Sequence, residues 1–311
     1  MGKVSIIIAT YNRASFITET LYSIKKQSFK NWECIIVDDC SNDSTSEVVS
    51  NFIKRDNRFS FHIRPNNLNK GANVCRNFGF NISTGEYIKY FDSDDIMSFN
   101  HLEVLVSVIE ENNLDFAVGN CRNFDKNGLG GRPYEYDREE AILSAENFAL
   151  FQVAWITDDL LVKRFFAEKL RFAEGLRDQG SEYHYNLKLL SLTTKGALLS
   201  QTLTYRRIHE NNLIYTEYLV KNDVRLLELK FTTMQYVDGL VAPNLQRWFL
   251  SGFTQLGFKM ALEKKWPPYT SKCLFYLVKY YSIKKAFLYP VALFTGFFFK
   301  KGYFFIKYIR S

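Results

Sequence analysis

The chain has 311 residues, 47% hydrophobic and 23% charged, enough to bury a full core and unlike disordered, collagen-like or disulfide-scaffold chains. That length suits roughly two domains, or one large domain with an appendage. The five cysteines are scattered and form no Cys-x-x-Cys pair, and Lys3 is the one basic side chain ahead of the apolar stretch 4–9. A zinc site and a secretory leader are therefore not expected, and the chain reads as a reduced, cytosolic protein.

The net charge of +7 is unevenly distributed. Ten of the 40 basic residues follow Glu263, the last acidic residue, so residues 1–263 hold 30 basic against 33 acidic side chains. A mildly acidic body with a strongly basic tail suggests an anionic surface for the tail to meet.

In chain order, Val4-Ser5-Ile6-Ile7-Ile8-Ala9 is a short β-branched run of the kind buried on both faces of a parallel sheet. Helical periodicity follows over 15–27, with Ile17, Leu21 and Ile24 on one stripe. A second strand is expected over 32–37, a helix over 44–55 with Ser41 or Asp43 as cap, and a third strand over 59–63. A helix over 71–82, a strand over 87–91, a helix over 101–111 and a strand over 116–118 continue the alternation. This pattern implies βαβ units and an open, mostly parallel sheet flanked by helices. Glycine and proline interrupt it over 126–136, as in a loop or a change of sheet direction. Residues 145–171 and 181–192 look helical, 197–206 looks like a strand, and the chain beyond Asn212 reads as mainly helical. The expected division is 1–212 and 213–311.

Ligands of open α/β sheets collect at the carboxyl ends of the strands. There stand Thr10-Tyr11-Asn12-Arg13, Asp38-Asp39-Cys40-Ser41 and Asp92-Ser93-Asp94-Asp95. Carboxylates at i and i+2 can converge on one Mg²⁺ or Mn²⁺ ion, whose remaining positions go to water and substrate phosphates. No Gly-x-Gly-x-x-Gly follows the first strand and no Walker P-loop occurs, which disfavours dinucleotide oxidoreductases and P-loop NTPases.

The segments 4–13 and 35–45, then Asn69-Lys70-Gly71-Ala72, Arg76-Asn77 and Gly85-Glu86-Tyr87-Ile88 leading into Asp92-Ser93-Asp94-Asp95, resemble in order and spacing a family 2 glycosyltransferase of the GT-A fold, over about residues 3–210. The resemblance implies inverting transfer of a sugar from a nucleoside diphosphate, a UDP-sugar first among them, to a hydroxyl of a saccharide or lipid-linked saccharide. It also implies bacterial surface-polysaccharide synthesis, aided by Mn²⁺ or Mg²⁺. Carried over by position, Thr10, Tyr11 and Arg13 line the nucleotide pocket and Asp39 accepts a hydrogen bond from the base. Lys70 and Arg76 face the base, diphosphate or sugar, and Asp92 meets the ribose or donor sugar, with Ser93 in the same set. Asp94 ligates the metal and Asp95 is a third acid. The family's acidic pair ahead of a helix is here Ser181-Glu182, and Glu182 is the expected general base, with Glu174 or Asp178 next. His209 lies where relatives hold a histidine near the diphosphate, and Arg206 or Arg207 suits phosphate. Trp155 is either a sugar-stacking wall or a core aromatic, and Asp158-Asp159 reads as a solvated turn. A nucleotidyltransferase of related fold and an inactive sugar-nucleotide-binding module are the rival readings.

Residues 270–311 hold no acid, eight basic residues and 14 aromatics. The longest charge-free run, 286–299, spans roughly 21 Å, short of the ~30 Å hydrocarbon core. Basic and aromatic residues interleaved in this way suit a headgroup interface. A peripheral location on the inner face of the cell membrane follows as an expectation, and nucleic acid is not an expected partner.

Overall fold

The computed structural model describes residues 1–54, 56–174, 180–209 and 223–311. The chain divides into two compact units, 1–212 and 213–311.

The first unit is built on one mixed sheet, ordered β3-β2-β1-β4-β8-β6-β9-β5. The strands are β1 (Val4–Thr10), β2 (Trp32–Asp38), β3 (Phe59–Ile63), β4 (Tyr87–Tyr90), β5 (Ile96–Met97), β6 (Phe116–Asp125), β7 (Gly128–Leu129), β8 (Leu160–Lys163) and β9 (Gly196–Arg207). β3, β2, β1 and β4 run parallel. The chain builds outward from β1 to β3 and then returns to place β4 on the other side of β1, so the strand order reverses there. In open α/β sheets such a reversal opens a crevice at the carboxyl ends of the two strands.

Val4, Ile6, Ile7 and Ile8 are all fully buried because helices cover both faces of β1. On one face Val4, Ile6 and Ile8 pack with α1 (Ile17–Lys25), α2 (Thr45–Ile53) and α4 (His101–Glu111) through Ile17, Leu21, Ile24, Val49, Leu105 and Ile109. On the other, α3 (Ala72–Ile82) lies against Ile35 and Val37 through Cys75. A Cβ at Gly79 would stand 2.6 Å from Ile7 Cγ2, so glycine there lets α3 approach the sheet. The N-cap of α2 is Ser44, without a side-chain capping bond, in place of the expected Ser41 or Asp43; Asp43 lies one residue earlier and accepts the Thr45 amide at 2.9 Å.

The region 145–171 departs from expectation. It holds only α5 (Ala145–Ala149), a 3₁₀ turn (Thr157–Asp159), β8 and α6 (Arg164–Ala167). β8 is inserted antiparallel between β4 and β6. A short apolar run such as Leu160-Leu161-Val162 cannot be told from buried helix by periodicity alone, and here sheet pairing decides. The glycine-rich segment forms the β6–β7 hairpin, closed by Gly128 at φ 117°. α7 (Ser181–Leu192) occupies its expected span.

Within the second unit the described residues form α8 (Asp223–Tyr236), α9 (Pro243–Leu262), α10 (Thr270–Tyr280), α11 (Ile283–Phe299) and α12 (Tyr303–Arg310). A Cβ at Gly296 would stand 2.8 Å from Phe258, so α9 and α11 pack through this small residue. Among the described residues no helix is long and apolar enough to cross a membrane.

Candidate active site

The loops after β1 and β2 are knitted together by their own side chains. Asn12 and Cys40 adopt left-handed φ of 51° and 59°, which turns both loops sharply out of the sheet. The Asn12 amide donates to Ser41 Oγ at 2.9 Å, and the Asn42 amide donates to Asn12 Oδ1 at 3.0 Å. Asp38 accepts from the Ser41 amide, and the Asp39 amide donates to the Thr10 carbonyl, both at 2.9 Å. Thr10 is buried beside this junction, while Tyr11 is exposed with Lys70 Nζ 3.8 Å from its ring centroid. Asp39, expected to meet the base, receives Arg64 Nε at 2.5 Å. Arg64 stands just beyond β3 and is buried, and the Asp39 carboxylate raises its proton affinity further. The charge of Arg64 belongs to no local motif, so nothing in the sequence around it marks it as Asp39's partner.

The loop after β4 alternates, with Asp92 and Asp94 partly exposed and Ser93 and Asp95 buried. Carboxylates at i and i+2 therefore share the open side. Asp92 Oδ1 accepts from Arg76 Nη2 at 2.9 Å, and Arg76 Nη1 donates to Asn73 Oδ1 at 3.2 Å. Arg76 is thus committed to holding Asp92, with its guanidinium 5.2 Å from the Phe172 ring. Asp94 Oδ2 receives Arg13 Nε at 3.0 Å and lies 3.0 Å from His209 Nε2. The His209 ring stacks on Phe16 at 4.7 Å. Arg13, Asp94 and His209, drawn from three distant segments, therefore meet at one point.

Arg207 is engaged by the acidic loop and by α1. Its amide donates to Asp95 Oδ1 at 2.8 Å, its Nε to the Asp94 carbonyl at 2.9 Å and its Nη2 to Glu19 at 2.8 Å. It fixes the acidic loop from β9. Thr20 adds a bond to the Asp95 carbonyl at 2.8 Å.

Asp158 and Asp159 are buried, in place of the expected solvated turn. Asp158 accepts the Asp92 amide through both oxygens, at 3.1 and 3.0 Å. Asp92, Asp95 and Asp158 bring a carboxylate oxygen each within 4.8 Å of one another. Burial, then the Asp92 and Asp95 charges, push Asp158 well above the ordinary carboxylate range, and Asp95 rises for the same kind of reason. Beneath them Lys89, fully buried in β4, donates to the carbonyls of Asp158 and, at 3.2 Å, Leu160. Burial lowers Lys89 to about 8 against the pull of Asp158 and Asp159.

Glu182 lies in the first turn of α7, partly buried, and its Oε1 accepts the Thr157 amide at 3.1 Å. Desolvation, then the Asp92 charge, raises its proton affinity, with Arg76 opposing. Of the alternatives, Glu174 is tied to Asn77 Nδ2 at 2.9 Å, and Asp178 lies outside the described residues. Trp155 is a core aromatic, buried against Phe148 at 4.8 Å and Phe116 at 6.4 Å.

Two donor sets fit a hard or borderline divalent cation. The Asp92, Asp95 and Asp158 triad is all oxygen, with Asp92 partly exposed, and Asp158 and Asp95 already accept the Asp92 and Arg207 amides. Asp94 and His209 offer one oxygen and one imidazole nitrogen at a partly open position, a mixture that suits Mn²⁺.

Residues 5–159 match the model of the family described as Glycosyl transferase family 2. The chain belongs to that family. It is 30% identical over 229 residues to the glycosyltransferase GlyA of Streptococcus pneumoniae serotype 4, covering 69% of this chain and 32% of GlyA. It is 36% identical over 129 residues to WfgD of Escherichia coli, named a UDP-Glc:alpha-D-GlcNAc-diphosphoundecaprenol beta-1,3-glucosyltransferase, covering 42% of this chain and 49% of WfgD. The chain thus spans about a third of the one relative and half of the other. In fold it is similar to S. aureus TarS 1-349 in complex with UDP-GlcNAc, with a TM-score of 0.69, 16% identity, and coverage of 95% of this chain and 89% of that one. The GT-A fold read from the sequence is therefore present.

Proposed function

We propose that this family 2 glycosyltransferase transfers a sugar from a UDP-sugar to a hydroxyl of a lipid-linked saccharide with inversion, in cell-surface polysaccharide synthesis. In this reading residues 1–212 form the catalytic domain, and residues 213–311 form a helical region at the inner face of the membrane. One observation carries it. Glu182 holds the Thr157 amide while the adjacent Asp158 holds the Asp92 amide, so the base and the donor-side acids share one hydrogen-bonded frame. The names of WfgD and of the TarS complex support the donor and acceptor classes.

Thr10, Tyr11, Asp39 and Lys70 take the nucleotide, with the Tyr11 ring stacking near the base and the Asp39 carboxylate accepting a base N–H. Arg13 supplies positive charge toward the diphosphate, and Arg76 orients Asp92 toward the ribose or sugar. Asp94 and His209 would hold Mn²⁺ or Mg²⁺, which when bound neutralises charge on the leaving diphosphate. Glu182 removes the acceptor hydroxyl proton as that oxygen bonds to the anomeric carbon, and the bond from that carbon to the diphosphate breaks on the opposite face. Raised proton affinity suits this role, because a base works best when its pKa approaches the working pH.

The test is a thermal-shift and calorimetric panel of sugar nucleotides with and without Mn²⁺. Selective, Mn²⁺-strengthened binding of a UDP-sugar is expected, and ligand linkage raises the melting temperature for binders alone. A chain that ignores every sugar nucleotide would refute the proposal.

A further inference from the structure

A helix on a protein surface ordinarily turns polar residues outward. α11 does not. Ile283, Phe287, Phe294 and Phe298 are 76%, 72%, 51% and 55% exposed. At 3.6 residues per turn they fall within about 60° of one another. The opposite side of the same helix is buried through Ala286, Tyr289, Ala292 and Leu293. The helix is therefore apolar on both sides, one side taken up inside its own unit and the other open. α12 continues the exposed surface with Tyr303, Phe304 and Tyr308, while Ile306 and Ile309 face inward.

Charge frames this stripe. Lys284 and Lys285 stand at the start of α11 and Lys300 and Lys301 just past its end, with Lys307 on α12. Among the described residues none of these five forms an ion pair with a carboxylate, and no acidic side chain follows Glu263 in the sequence. Lys284 and Lys285 lie 5.4 and 5.6 Å from the Tyr308 ring, beside the exposed aromatics.

We infer that the outward face of α11, with the exposed aromatics of α12, is a docking surface for an anionic lipid bilayer. The helix lies in the headgroup plane with its phenylalanines turned into the acyl boundary and its lysines on the lipid phosphates. At 17 residues it is about 25 Å long. It is too short and insufficiently apolar to cross a membrane, and it is anchored along its other side, so it rests on the membrane and does not span it. A second copy of this chain would present the same one-signed charge to itself, which disfavours a symmetric pair on this face. The inference deepens the reading of a lipid-linked acceptor and rests on that reading for its purpose.

The experiment is co-sedimentation of the full chain with vesicles of phosphatidylcholine alone and of phosphatidylcholine with phosphatidylglycerol, at low and high salt. Binding to the anionic vesicles is expected, partly reversed by salt. Replacing Lys300, Lys301 and Lys307 by Gln should weaken it on the order of a hundredfold. Replacing Phe287, Phe294 and Phe298 by Ser should weaken it about tenfold or more, including the part that salt leaves behind. Circular dichroism and Mn²⁺-dependent UDP-sugar binding of both variants should match the parent. Anionic-vesicle binding unchanged in both variants would overturn the inference. So would a concentration-dependent dimer, abolished by the Phe→Ser set, because the face would then belong to a second copy. Loss of UDP-sugar binding in the parent chain would strike the proposed reaction and leave the vesicle result standing.

Discussion

After β2, Asp39 meets the Arg64 guanidinium at 2.5 Å, whereas behind β4 the Asp95 and Asp158 carboxylates meet each other and Asp92. Asp39, Asp95 and Asp158 are all buried aspartates close to strand ends. In the first, an acid and a base neutralise one another, and removing either strands a buried charge. In the second, acids raise each other's proton affinity, and the loop is held because their oxygens accept backbone amides. The same residue type thus neutralises a buried cation in one loop and holds backbone amides in the next, and partners decide which.

The largest expected effect lies at the edge of the acid-rich side. Glu182→Gln should keep donor affinity within about threefold and lower turnover by roughly 10²–10⁴, as steady-state kinetics would show. The base acts when deprotonated, and its proton affinity is raised in the fold. The acidic limb of kcat/KM should therefore sit above the usual carboxylate range, with activity falling as pH drops through it, and this limb should vanish in the Gln variant. A limb that persists unchanged places the base elsewhere.

One substitution made in both loops sharpens the contrast. Asp39→Asn leaves Arg64 buried without its counter-ion and should cost about 3 kcal/mol in denaturant unfolding at neutral pH. Asp158→Asn keeps an oxygen for the Asp92 amide and removes an acid whose folded proton affinity is raised. A raised acid binds more protons folded than unfolded, so its contribution worsens as pH climbs through the unfolded value. The Asn variant should therefore stay within about 1 kcal/mol of the parent at neutral pH. Equal losses at both positions would dissolve the distinction.

At the far ends of the same strands, Glu33 offers a third arrangement. It gathers Lys3 Nζ at 2.7 Å, Ser5 Oγ at 2.6 Å and the Thr84 amide at 2.7 Å. Burial works against its charge, but these bonds prevail and bring it from 4.5 to about 2. Its stabilisation is present above the unfolded value and is lost as pH falls toward about 2. Glu33→Gln should cost less than about 1 kcal/mol at pH 7, because the pair is partly solvated. The gap in melting temperature should close as the solution is acidified below 4.5.

Much of this arrangement is legible in the sequence, for a physical reason. Parallel strands buried on both faces must be nearly continuous apolar runs, so β1 and β2 announce themselves, and the polar residues following them mark the site. Asp94 and His209, 115 residues apart, could be paired only through the resemblance, and the fold brings them to 3.0 Å. Lys89, Arg64 and Asp158 were not legible as site residues. Lys89 sits in Tyr-Ile-Lys-Tyr, where nothing local says that its ammonium will bind carbonyls 69 and 71 residues away. Asp158 follows a stretch with helical appearance, and only the insertion of β8 between β4 and β6 carries it under Asp92.

The account turns on which acids hold the cation, and Mn²⁺ titration in the presence of UDP decides it directly. Electron paramagnetic resonance of free Mn²⁺ would be followed for the parent chain, His209→Ala and Asp158→Asn. We expect His209→Ala to weaken Mn²⁺ binding about tenfold or more, and Asp158→Asn to hold it within about threefold of the parent. Unchanged Mn²⁺ affinity in His209→Ala, together with its loss in Asp158→Asn, would move the cation to the Asp92, Asp95 and Asp158 triad and contradict the account.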